Sequence, residues 1–430
     1  MILLRDASLS QKIKTITKTK IVFFICAASF LIGNSIYFVS EMSIAIFLVI
    51  MGIQFVLGIW AARFVKKEES LFYWILGVGL VSRVIVLFSF PILENDFYRF
   101  LWDGKVLLNG LNPYNYLPLD PQLDFLDAGF RGLIDWTNYH TIYPPLAQAV
   151  FALSQMLFGD SLLGLKLCFL VFEVLLVLAL SKVSLWAAAV YLMSPLAIKE
   201  IANSAHFESL PMFLSFLAVY FYESKRKVSY VFLAFASAAK IYPVLLLPFF
   251  LVRDKNKMQG LIYFIVVVSI FYLPFLINLQ QPEMGLTAFF RDWHWNAPLY
   301  HWIYSISGSK LLLATLFSSY YIYLLVKFRE AEFYSLTTKV FLALLLCSTV
   351  VQPWYVLWLL PFAAVSNNMP GILLSGFIFA GYLHYHFDTQ QASEAGIIIV
   401  AEYGLWALSS LFLRSISLPS EDRSLADMFD

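Results

Sequence analysis

The richest run of ionisable side chains is Glu94-Asn95-Asp96-Phe97-Tyr98-Arg99-Phe100-Leu101-Trp102-Asp103-Gly104-Lys105, set between long apolar stretches. A carboxylate such as Asp96, held where membrane meets water, can act as general base toward an acceptor hydroxyl. The plainer reading makes Asp96 a helix cap and pairs Arg99 with Asp103 one turn on. Downstream, His140-Thr141-Ile142-Tyr143-Pro144-Pro145 gives Tyr143 a place at the water boundary, before prolines that fix an extended lead into the next apolar segment. Its hydroxyl either binds a ligand or belongs to an interfacial aromatic belt. Lys199, Glu200, His206 and Glu208 interrupt apolar sequence, and ionisable groups at membrane depth are costly enough to be functional candidates. His206 and Glu208, two residues apart, point in different directions on a regular helix, and no ligand ladder suited to zinc is present. A hydrated loop and a binding role both fit them.

Lys240, in Ala238-Ala239-Lys240-Ile241-Tyr242-Pro243, is the most conspicuous buried cation. Either it snorkels to an interface or it neutralises an anion in a cavity. A phosphate suits an enzyme working at a membrane, because departing phosphate needs cationic stabilisation; Arg99 and Arg131 are alternative holders. Trp293-His294-Trp295-Asn296, Gln352-Pro353-Trp354-Tyr355, His384, His386 and Asp388 could together wall a sugar. Cys26, Cys168 and Cys347 all sit in apolar runs, so neither a disulfide framework nor a thiolate metal site is indicated.

The elements that must position these groups follow from composition. The chain has 430 residues, 60% apolar and 13% charged, against roughly 25% charged in an ordinary globular domain. That excludes a soluble enzyme. With 29 Lys+Arg against 28 Asp+Glu there is no basic field to attract nucleic acid. A span needs about 20 apolar residues, so the expected fold is an all-α polytopic bundle of about 11 to 13 spans in a single domain, residues 1–430. Arg5, Lys12, Lys14, Lys18 and Lys20 before the first apolar run place the N-terminus in the cytoplasm. Runs near 21–40, 43–64 and 71–92 then bring the chain out at Pro91. The large external loop, about 93–142, is acidic, with Glu94, Asp96, Asp103, Asp120, Asp124, Asp127 and Asp135. A helix starting near Asp96 and stopped by Gly110 and Pro113 would place Asp96, Arg99 and Asp103 on one face, and lie as an amphipathic helix on the membrane surface. Placing Lys225-Arg226-Lys227 and the cluster Arg253, Lys255 and Lys257 inside requires a re-entrant 144–158 segment and a hairpin over 228–251 broken at Lys240. Broken helices survive at membrane depth only when buried or lining a cavity, which predicts a cavity near Tyr143 and Lys240.

Three strings carry a family resemblance: Asp96-Phe97-Tyr98-Arg99-Phe100-Leu101-Trp102-Asp103-Gly104, Gly110-Leu111-Asn112-Pro113-Tyr114, and Ile142-Tyr143-Pro144-Pro145-Leu146. They resemble the first external loop of C-type (GT-C) membrane glycosyltransferases, in particular the bacterial polyprenol-phosphate-mannose-dependent mannosyltransferases; Lys240-Ile241-Tyr242-Pro243 and Pro353-Trp354-Tyr355 are also similar. The resemblance covers about 93–360 discontinuously. It implies transfer of a sugar, mannose first, with inversion, from a polyprenyl-phosphate donor to a glycan, glycolipid or protein acceptor at the external face of a bacterial inner membrane. It also implies Asp96 as catalytic base, Lys240 and Arg99 at the phosphate, and Tyr143, His206, Glu208, His294 and Tyr355 around the sugar, with Glu94 and Asp103 in the same binding set. Where relatives carry Asp-x-Asp this chain has Glu94-Asn95-Asp96, so no metal cofactor is assigned and divalent-metal use stays open. Two rivals share the topology: a polysaccharide polymerase or ligase with a lipid-diphosphate donor, and a secondary transporter, which should show inverted repeats.

Overall fold

The structure, a computed structural model, describes residues 21–39, 43–126, 129–280, 285–327, 332–386 and 392–417. The N-terminal cations, Asp127 and Asp388 lie outside the described residues, as does the side chain of His386. Among the described residues there is no strand, only an isolated bridge between Trp295 and Val350. In chain order the helices before the loop are α1 (Ile21–Phe38), α2 (Ile44–Lys67) and α3 (Leu71–Leu87). The loop contains α4 (Phe97–Leu108) and short 3-10 turns, and leads to α5 (Pro145–Phe158), α6 (Leu162–Val183), α7 (Leu185–Leu192) and α8 (Pro195–Asn203). Then come α9 (Ser209–Phe221), α10 (Arg226–Ala239), α11 (Tyr242–Arg253), α12 (Lys257–Ile277), α13 (Gly285–Asp292), α14 (Pro298–Ser307), α15 (Lys310–Lys327) and α16 (Phe333–Cys347). A 3-10 turn over Pro353–Trp358 precedes α17 (Leu360–Val365), α18 (Met369–Phe377), α19 (Leu383–His386) and α20 (Ala392–Ser417).

Six of these helices are long and apolar enough to cross a membrane, or seven if α7 and α8 count as one bent span. Sequence alone treats 184–199 as one stretch, whereas α7 and α8 meet at 54°. The cause is local: Ser194 is extended and accepts the Ala197 amide, and Pro195 follows without an amide hydrogen to continue the ladder. A second break falls at Lys240, whose extended backbone ends α10 before the turn that opens α11. The α5 helix starts on Pro144-Pro145 and stops at Gly159, which adopts a positive φ of 60°. Its 14 residues are too few to cross a bilayer unaided.

Large apolar side chains cover the outside, among them Ile32, Ile53, Ile270, Leu311 and Leu408, each at least half exposed; such a mantle suits hydrocarbon and would aggregate in water. Charge is turned inward. Arg83 of α3 pairs with Glu173 of α6 at 2.8 Å, both buried, and also donates to the Gly79 and Leu192 carbonyls. Lys166 of α6 holds the Leu87 and Ser89 carbonyls at the end of α3.

The expected surface helix is instead internal. Along α4 the buried residues include Arg99 and Asp103 beside Phe97, Phe100 and Trp102. Arg99 Nε donates to Asp103 at 2.8 Å, and Gln148 of α5 donates to the other Asp103 oxygen at 3.0 Å. Gln155 adds a bond to the Leu101 carbonyl at 2.9 Å. The two helices touch so closely at Gly104 that a Cβ there would lie 2.5 Å from the Phe151 backbone. The polar face of α4 thus seals against α5, which satisfies its charges without water.

Candidate active site

Beyond α4 a cavity of about 880 Å³ opens, lined by residues from many elements of the chain. Glu94, Asn95 and Asp96 come from the loop before α4, Tyr143 from the segment before α5, His206 from the turn after α8, and Lys240 from the break after α10. His294, Trp354, Tyr355 and Tyr385 close the far wall. A separate apolar sector is supplied by Val244 and Leu245 of α11, Leu286, Phe289 and Phe290 of α13, and Leu344 and Leu345 of α16. The bridge between Trp295 and Val350, with amide bonds of 2.9 and 2.8 Å, anchors the His294 loop to the chain before the Pro353 turn. Asn296 fastens the same loop to Glu402 of α20.

Asp96 stands at the N-terminal end of α4, yet its side chain makes no cap bond. One third of it is exposed, into the cavity. Its Oδ2 lies 3.7 Å from His206 Nε2, and His206 Nδ1 lies 2.7 Å from Glu200 Oε2. The imidazole is stacked on Trp354, centroid to centroid 3.9 Å. Burial alone would lower the imidazole's affinity for a proton; the Asp96 and Glu200 carboxylates outweigh it and raise the pKa to about 9. Glu200 and Lys199 belong to the six-residue π-helical stretch Ile198–Asn203 at the end of α8; π turns are frequent at functional sites. Lys199 reaches Glu200 at 3.4 Å and Glu94 at 3.9 Å. For Glu94 burial dominates, partly offset by Lys199, and its carboxyl is pushed up to about 8. Two residues leading into this cluster, Leu93 and Ala205, hold φ values of 68° and 60°, a conformation that costs non-glycine residues roughly 1–3 kcal/mol.

A second cluster surrounds Lys240. Its ammonium pairs with Glu208 and lies 4.8 Å from the Phe207 and Tyr355 rings and 5.0 Å from Trp358. Trp358 Nε1 donates to the other Glu208 oxygen. Glu208 is fully buried and does not line the cavity. His206 and Glu208, adjacent but one in sequence, do serve different neighbourhoods.

Of the residues singled out from sequence, the structure brings Glu94, Asp96, Tyr143, His206, Lys240, His294 and Tyr355 to one cavity. It keeps three away. Arg99 and Asp103 are spent on each other, on the Tyr139 carbonyl and on Gln148, and Glu208 is covered by Lys240. Arg99 does not line the cavity. Arg131, the other alternative, is turned to the Pro118 and Asp120 carbonyls and Asp124. Sequence reasoning passed over Asp135, which accepts from Asn95 at 2.8 Å, and Tyr385, which donates to Glu94 at 3.1 Å. No local pattern marks either. Among the described residues, no group of three His, Cys, Asp or Glu side chains is placed to hold a metal ion.

Residues 28–253, just over half of the chain, match the family model described as alpha-(1->6)-mannopyranosyltransferase, N-terminal domain. The match contains Glu94, Asp96, Tyr143, His206 and Lys240 and ends before the wall that carries His294 and Tyr355. No curated protein and no solved structure matches the chain.

Proposed function

The chain belongs to the alpha-(1->6)-mannopyranosyltransferase family and is a mannosyltransferase with several helices long and apolar enough to cross a membrane, and from that premise we propose that it moves mannose from a polyprenyl-phosphate carrier to an acceptor hydroxyl, with inversion. Asp96 takes the acceptor's proton, the acceptor oxygen bonds to the anomeric carbon, and the bond from that carbon to the carrier phosphate breaks on the opposite face. The electron pair leaves on the phosphate oxygen, and Lys240 stabilises the charge that grows there. Tyr143, His294 and Tyr355 orient the sugar, and the apolar sector of α11, α13 and α16 takes the first isoprene units.

The observation that carries this reading is the cavity's charge. Among the described residues lining it, Lys240 is the one lysine or arginine, facing Glu94, Asp96 and Asp135. One cation already shared with Glu208 suits a single bridging phosphate better than a diphosphate with its additional negative charge. In this reading the cavity opens to the external face of the bacterial inner membrane. The short helices α3, α5, α9, α11 and α16 supply partial or tilted spans that bring the total toward a dozen.

The test is mannose transfer from a polyprenyl-phosphate-mannose donor by membranes expressing the native chain or Asp96→Asn at matched abundance. The expected result is transfer by the native chain and its loss, by about 10²–10⁴-fold, in the variant. Surviving transfer removes Asp96 as the base; transfer that the native chain makes only from a diphosphate donor overturns the donor assignment.

A further inference from the structure

Sequence reasoning left His206 among sugar-orienting groups and gave Glu200 no task. We infer that Glu200 and His206 form a positioning relay for the reaction: buried Glu200 holds the imidazole so that its Nε2 edge presents a positive charge to the Asp96 carboxyl. The inference rests on the reading of Asp96 as base.

The geometry is directional. Glu200 Oε2 to His206 Nδ1 is a 2.7 Å contact between groups without solvent exposure, so Nδ1–H donates to the carboxylate and Nε2 is left as the edge that faces the cavity. Among the described residues Nε2 has no hydrogen-bond partner, and it lies 3.7 Å from Asp96 Oδ2. The ring cannot swing, because Trp354 stacks on one face at 3.9 Å, and the backbone is pinned by the His206 amide bonding back to the Glu200 carbonyl at 2.8 Å. That closed loop needs both the wide turn of Ile198–Asn203 and the left-handed Ala205. Asn203 fastens the loop to the chain before Asp96, through the Ile92 amide and the Phe90 carbonyl.

The other charged or titratable groups around the pair have partners of their own. Lys199 of α8 is directed to Glu94, Glu200 and Ser204. Lys240 is paired with Glu208 and interacts with Asp96 from the opposite side of the cavity lining, through no hydrogen bond to it among the described residues. Asp135 bonds Asn95, and Tyr385 bonds Glu94. Tyr143 and Tyr355 present neutral phenols to the cavity.

The test is the pH profile of kcat/KM for mannose transfer by purified full-length native chain, Glu200→Gln, His206→Gln and the double variant. If the relay operates, Glu200→Gln and His206→Gln each move the acidic limb upward by about one pH unit, the lower end of the effect of an opposite charge at this distance. The double variant then shows the shift of His206→Gln and no more, because Glu200 acts through the ring. A fall in rate at every pH with the limb unmoved would mean that Glu200 is structural and would overturn the inference. So would a Glu200→Gln shift that persists undiminished in the His206→Gln background. Asp96→Asn in the same series separates the two claims: if it keeps activity, the base assignment fails; if it alone is inactive and the limbs do not move, only the relay fails.

Discussion

Lys240→Met tests whether the cation serves the phosphate or merely neutralises its neighbour. Glu208 is fully buried, with one oxygen held by Lys240 and the other by Trp358. Removing the lysine strands a carboxylate that keeps one of two partners, and breaking a buried pair in this way costs roughly 3–5 kcal/mol. The retained indole bond puts the loss toward the lower figure, still a large share of a stability of about 5–15 kcal/mol. Loss of one charge facing the departing phosphate should separately lower kcat by about 10²–10³. The companion variant Lys240→Met/Glu208→Gln removes the stranded charge. Its denaturation midpoint, followed by labelling of the buried Cys26 in detergent, should recover most of what the single variant loses, while transfer from a polyprenyl-phosphate-mannose donor stays low. If transfer returns together with stability, Lys240 has no part in holding phosphate and the proposed charge stabilisation is wrong.

Two further outcomes follow from local geometry. Gly104→Ala drives a Cβ against the Phe151 backbone, where nothing flexible can give way, and should lower stability by about 1–3 kcal/mol; a midpoint within error of native would contradict the close packing of α4 on α5. Glu94 concerns pH. Its folded pKa of about 8 lies above its ordinary value of 4.5, so the stability linked to its proton is complete below that ordinary value and is lost as pH rises through about 8. Glu94→Gln should therefore gain stability relative to native between pH 5 and 8, measured as detergent denaturation midpoints; parallel curves would show that Glu94 titrates normally.

The loop bearing Asp96, the break at Lys240 and the extended lead at Tyr143-Pro144 were legible because each interrupts apolar sequence with residues whose backbone or charge behaviour is strongly constrained. The fate of Arg99 and Asp103 was only half legible. Their spacing announced the pair, but nothing local said that Gln148 would bury it. Glu200 could not be assigned to His206 from spacing, because a wide turn and a left-handed Ala205 fold six residues back on themselves. The bend between α7 and α8 was written in Ser194-Pro195, a signal masked by the unbroken apolar run around it. Partners such as Tyr385 for Glu94 depend on tertiary closure alone.

The buried pair of Arg83 and Glu173 carries a consequence for how the protein is made. At about 5–20 residues per second, α3 leaves the ribosome several seconds before α6 exists. During that interval Arg83 has no counter-charge, and hydrocarbon is a hostile place for it. Retention of α3 at the translocon or its watery flank until Glu173 arrives is therefore the expected order of assembly, to be read by crosslinking of stalled nascent chains ending before and after Glu173. Lesions at either residue would then surface as defective biogenesis and early degradation of the nascent chain, leaving the few molecules that do assemble with ordinary catalysis.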